Sequence, residues 1–262
     1  MPILFIVKKG QITMKEIIKS NIKYLIFLFV FGLIGGYFTA IYSVQSLSPE
    51  LLNEALQEIG SIDILYVILT LQSVGYALIL GIIGKILAKK IGLWRKLEFS
   101  KKAIIEILLV TVLGGIVFIM TDNLIFNNYS EVIKNSYSAK PTLEYIIASL
   151  TYGGVVEEIM LRLFFMSLIA FLIQKISKRE EINVKILVIA NIVAAILFAA
   201  GHLPATVTTI GITPMILLRC FLLNGCFGIL FGRLYRKYGI HCAIIGHAGV
   251  HIVSKIIWIL FI

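Results

Sequence analysis

The sequence predicts an all-α membrane protein, a polytopic helix bundle with seven transmembrane helices, or eight if the last one breaks near Ser254. Three observations carry this. First, 59% of the 262 residues are hydrophobic and only 15% are charged, whereas a soluble surface alone is about a quarter to a third charged. Second, the charges sit in short clusters separated by long apolar runs, and about twenty apolar residues suffice to cross the hydrocarbon core. Third, no run has the short alternation of a barrel strand, and backbone polar groups left unpaired in lipid are too costly for anything else, so the spans are helices. Soluble, disordered and coiled-coil classes are excluded, and three cysteines cannot form a disulfide framework.

The windows fall at 22–45, 62–88, 103–126, 142–174, 186–203, 214–232 and 240–262. Lys8, Lys9, Lys15, Lys19 and Lys23 precede the first. Lys85, Lys89, Lys90, Arg95, Lys96, Lys101 and Lys102 lie between the second and third, Lys175, Lys178, Arg179 and Lys185 follow the fourth, and Arg233, Arg236 and Lys237 follow the sixth. The intervening loops carry Glu50, Glu54, Glu58, Asp63, Asp122 and Glu131 against Lys134 and Lys140. This alternation fits an odd number of helices with a cytoplasmic N-terminus in the cell membrane. The first apolar segment has no small-residue cleavage site behind a short core, which reads as a retained signal-anchor. The net charge of +10 flanks spans and is not interleaved with aromatics on a polar face, which points to anionic lipid and not to nucleic acid. Residues 1–141 supply three membrane helices and 142–262 a second bundle, integrated as one membrane domain.

Ionisable groups inside a bilayer mark function until they are paired off. The sequence offers Glu157-Glu158-Ile159-Met160-Leu161-Arg162 in the fourth span, Phe198-Ala199-Ala200-Gly201-His202 in the fifth, Arg219 with Asn224 in the sixth, and His247-Ala248-Gly249-Val250-His251 in the seventh. Glu158 and Arg162 are i,i+4 neighbours and can pair. Glu157 is turned about 100° away, which leaves it available for chemistry. His247 and His251 share one helix face. His241 belongs to the cytoplasmic interface. Phe198 reads as packing one turn before His202, and Arg219 and Asn224 as either a satisfied pair or substrate contacts. At 1.5 Å per residue, Glu157 and His202 lie roughly 27 and 26 Å from the basic loops, while His247 lies only roughly 15 Å away. Tilt, loop residues counted as helix, or an unwound start to the seventh span must absorb that difference.

A carboxylate and imidazoles converging in a dry bundle can deprotonate water and stabilise the oxyanion formed when that water attacks a peptide carbonyl. That chemistry is proteolysis within the membrane. No G-x-S-x-G or His-Glu-x-x-His motif is present, and the only two aspartates are Asp63 and Asp122, both at span ends, so serine, common-zinc and aspartyl mechanisms lack their residues.

Glu157-Glu158-x-x-x-Arg162, Phe198-x-x-x-His202 and His247-x-x-x-His251, each on its own late helix, resemble the CPBP (Abi) family of intramembrane endopeptidases, which includes the type II CAAX prenyl proteases. The likeness spans about 142–255. It implies an endopeptidase acting on a membrane-bound or lipid-anchored peptide or protein, in CAAX-type processing or in bacteriocin immunity and peptide maturation. By position, Glu157 would activate water beside His202, His247 would polarise the scissile carbonyl, and Glu158 and Arg162 would support them. The family carries Asn or Asp where this chain has His251, which also creates a His pair, so Zn²⁺ held by Glu157, His202, His247 and His251 is chemically reasonable. Metal-free, glutamate-activated water is slightly favoured, because no further carboxylate stands near to act as base once Glu157 is a ligand. The rivals are a non-catalytic immunity or binding protein and a small proton-coupled transporter.

Overall fold

The computed structural model describes residues 14–262, with side chains from residue 21 onward. Lys8 and Lys9, the side chains of Lys15 and Lys19, and most of the signal-anchor reading lie outside the described residues. The rest is helical, with no strand among the described residues. The elements are α1 (Met14–Gln45), α2 (Pro49–Ile59), α3 (Ile62–Lys90), α4 (Lys101–Leu124), α5 (Glu131–Ser136), α6 (Leu143–Ala148), α7 (Ser167–Ile176), α8 (Val184–Gly201), α9 (Leu203–Thr209), α10 (Pro214–Cys220), α11 (Cys226–Tyr238) and α12 (Ile240–Phe261).

Most helix starts are written locally. Ser48, Ser61, Ser100, Thr142, Asn183 and Thr213 each accept a hydrogen bond from the backbone N–H three residues on, which satisfies one of the donors a helix start leaves open. Pro49 and Pro214 occupy first-turn positions, where the missing N–H costs nothing. The segment 46–61, read from sequence as a loop, contains α2, an amphipathic helix with no buried residue.

Six helices are long and apolar enough to cross a membrane: Asn21–Gln45, Ile62–Lys90, Lys101–Tyr129, Val184–Thr209, Pro214–Tyr238 and Ile240–Phe261. The chain is therefore a multi-pass membrane protein. Six of the seven expected windows are met, and the window 142–174 is not among the six. There α6 continues through two wide-turned π-type segments, Ser149–Glu157 and Ile159–Met166, into α7. The expected break near Ser254 does not occur, since α12 runs through it without interruption.

The wide turns have a local cause. The hydroxyls of Ser149 and Thr151 donate to the carbonyls of Tyr145 and Ile147 at 2.6 and 2.7 Å, back-bonding that competes with the regular ladder. Gly153-Gly154 follows, with no side chains to resist the bend. A π-type turn holds more residues and gains less height per residue than an α turn, which narrows the mismatch in depth between Glu157 and His247. Gly154 also lets α12 come close: a Cβ there would stand 2.8 Å from Ala248 Cβ and 3.0 Å from its Cα. Gly154→Leu is accordingly expected to cost about 1–3 kcal/mol through overpacking, measured as a lower Tm of the purified protein in detergent.

The core runs through the whole bundle. Val155, Val156, Ile159, Leu163 and Met166 of the wide-turned run meet Leu28, Ala77, Ala190, Ala194, Phe227 and Phe231. Polar contacts tie helices where lipid offers no substitute: Ser167 shares a hydrogen bond with Tyr235 at 2.7 Å, and Asn191 donates to the Ile229 carbonyl at 3.0 Å.

The basic loops meet at one end. Arg95 donates to the Arg236 carbonyl at 3.4 Å, and Lys90 and Lys175 both lie over the Phe171 ring. Lys237 pairs with Glu106 at the same end, and His241 contacts the Glu98 carbonyl there at 3.1 Å. At the opposite end Lys140 donates to the Ile259 carbonyl at 2.7 Å, and Tyr137 packs on Trp258.

Candidate functional site

Between α1, the wide-turned run, α8, α11 and α12 lies a cavity of about 280 Å³. Glu157, Phe198, His202, Arg219, Asn224, His247 and His251 all line it. Three of the sequence motifs thus converge on one space, from helices far apart in the chain.

Consecutive residues of the wide-turned run serve two different networks. Glu158 is fully buried and pairs with Arg162 at 3.0 Å, as their spacing predicts. The same oxygen, Oε1, accepts from His247 Nδ1 at 2.9 Å, a contact the sequence reading did not contain. Arg162 is 1% exposed, and its guanidinium lies over Phe198 at 4.6 Å and Phe231 at 5.5 Å. Those ring faces offer partial negative charge where no water reaches. Phe198 therefore packs against the buried cation as well as against His202, whose ring meets it edge-on at 4.7 Å.

Glu157 faces the other way, into the cavity, with 17% of its side chain exposed. Its Oε1 stands 3.9 Å from His202 Nε2. The second nitrogen of that ring, Nδ1, is 2.8 Å from the Phe198 carbonyl. A carbonyl can only accept, so Nδ1 donates to it and Nε2 is the nitrogen turned toward Glu157. His247 turns its Nδ1 to Glu158 Oε1.

His247 is stacked between Phe231 at 4.3 Å and His251 at 5.0 Å. His251 Nδ1 is buried without a hydrogen-bond partner, while its Nε2 lies beside the backbone of Gly153, where a Cβ would come within 3.1 Å of it and 3.9 Å of Glu157 Oε2. Gly153 keeps open the space that both groups face.

Arg219 and Asn224 line the cavity but do not pair with each other. Arg219 binds Asp122 in a two-pronged contact at 2.5 and 2.8 Å, and Tyr137 donates to the same carboxylate at 2.8 Å. Asp122, expected at a span end, is 3% exposed and is a structural anion. Asn224 gives its amide N–H to the Cys220 carbonyl at 2.9 Å. The sequence reading missed Lys255, one turn beyond His251: it is 5% exposed, with its ammonium 4.3 Å from the Tyr145 ring centre. Its signal was present, a lone lysine inside the last apolar window.

The sequence offers Glu157, His202, His247 and His251 as a zinc set beside the favoured metal-free reading. Among the described residues no group of three or more His, Cys, Asp and Glu side chains is placed to hold a metal ion. His247 Nδ1 is committed to Glu158 and the His247 and His251 rings are stacked within 28° of parallel, so their nitrogens do not converge on a point.

Fold and site together define a multi-pass helical membrane protein with a carboxylate and imidazole cavity inside the bundle. Over residues 139–253, the stretch that carries all three motifs, the chain matches the family model described as Type II CAAX prenyl endopeptidase Rce1-like. No curated protein and no solved structure matches the chain.

Proposed function

We propose that the protein is an intramembrane endopeptidase that hydrolyses a peptide bond in a membrane-associated substrate with water activated by Glu157. The observation that carries this is the approach of Glu157 Oε1 to His202 Nε2 at 3.9 Å inside a lined cavity. Oxygen and nitrogen at that separation can each accept one proton of a single water, which is held with its own lone pair toward the substrate. Glu157 then takes the proton released as the water attacks the carbonyl. The oxyanion so formed is met by His251, in the tautomer that carries its proton on Nε2 beside Gly153, and by His247, whose ring Glu158 holds. The proton on Glu157 passes to the leaving amine. No step runs through a metal.

The wide-turned run 143–176 crosses the bilayer as a seventh span in this reading, its three central charges shielded by neighbouring helices. The basic loops then all fall on the cytoplasmic side of the cell membrane.

The deciding experiment supplies purified protein in lipid vesicles with a membrane-anchored peptide in oxygen-labelled water. Two fragments are expected, with label in the new carboxyl group. Absence of fragments under conditions where the protein remains folded would sink the hydrolase; proton-driven uptake without fragments would point to a transporter. Within the same assay, His251→Ala is expected to lower the rate by about 10²–10³-fold, the cost of losing one oxyanion donor. His251→Asn, which keeps an N–H, is expected to retain most of the activity.

A further inference from the structure

The cavity has a sealed end and an open end, and the two ends differ in charge. Its floor is formed by His247, Phe231 and Phe227, all buried. Below that floor, toward the basic loops, Leu234, Tyr235, Cys242 and Ala243 are at most 1% exposed, and the Ser167 hydroxyl closes on Tyr235. Nothing enters from there. The more exposed lining residues lie at the other end: Tyr42 is 37% exposed and the His202 side chain 35%. Tyr42, Tyr145, His202 and Arg219 each lie within five residues of a helix end remote from the basic loops, about 8 Å at 1.5 Å per residue. That end also carries α2 with Glu50 and Glu54 exposed, and the Asp122, Arg219 and Tyr137 cluster.

We infer that the catalytic cavity is entered from the face opposite the basic loops, which is extracytoplasmic, so that the substrate is a membrane-anchored peptide whose scissile bond lies on the outer side of the membrane. This rests on the hydrolase reading for the word substrate and on the positive-inside rule for the sidedness. The direction in which the cavity opens stands on geometry. It separates this chain from an enzyme that trims prenylated proteins at a cytoplasmic surface: a polypeptide must first be exported, or span the membrane, before Glu157 can reach it.

The test is thiol labelling with a membrane-impermeant maleimide on intact spheroplasts and on inverted vesicles. Single variants Asn53→Cys on α2, Arg179→Cys in a basic loop, and Thr39→Cys or Tyr42→Cys at the cavity rim are compared with the wild-type chain as blank. Label is expected on Asn53→Cys and on at least one rim variant in spheroplasts, and on Arg179→Cys in inverted vesicles alone. Rim labelling from the inverted side, or from neither side, overturns the inference, as does labelling of Arg179→Cys in spheroplasts. Cleavage by detergent-solubilised protein is measured separately. Its loss would strike the hydrolase and leave the sidedness result intact, whereas cleavage with rim labelling from the cytoplasmic face would keep the hydrolase and remove this inference.

Discussion

Glu157→Gln is expected to cleave about 10²–10⁴-fold more slowly than the parent, the span typical for loss of a general base, with its melting temperature unchanged. Gln keeps the shape of Glu but cannot take a proton. Glu157 touches the cavity and His202 and is not the partner of Arg162, so no buried cation is orphaned by the change. The loss should fall on kcat with KM little altered, since the carboxylate acts on the water and not on the peptide. Steady-state kinetics on an anchored peptide, beside thermal melts, separates this from misfolding. A variant that keeps its rate would remove Glu157 from the mechanism.

Glu158→Ala is expected to act in the opposite way, on stability first. Removing one partner of a fully buried ion pair costs about 3–5 kcal/mol, because the other charge is left uncompensated. Here that charge is Arg162, 1% exposed among Phe198 and Phe231, and His247 loses its acceptor as well. Adding Arg162→Met to Glu158→Ala should recover part of the lost Tm by removing the stranded cation, without recovering activity, since His247 remains unheld. Should Glu158→Ala melt with the parent, the buried pair would have no structural weight.

Much of this site was legible because it is local. The Glu158 and Arg162 pair follows from a four-residue spacing, the segregation of basic loops follows from counting, and three spaced motifs pointed to the walls of one cavity. What escaped was decided at long range or by backbone irregularity. Asp122 and Arg219 are 97 residues apart and His247 and Glu158 are 89 apart, so no periodicity links them. Lys255 escaped because a single lysine near the end of a span reads as snorkelling toward the interface, yet its tip stays among Tyr145 and the core. The regular rise assumed for 142–174 failed at Ser149, Thr151 and Gly153, whose effects on the backbone become visible only when the turns are followed.

The widened coil has a corollary for anyone altering this gene. Taking one residue out of 149–153 would let the coil tighten into the ordinary form, and everything downstream would swivel about the axis. The two neighbouring acids would then exchange places or miss both of their partners, so a single-codon deletion a turn or more before either acid should abolish the proposed cleavage as completely as replacing the acid itself.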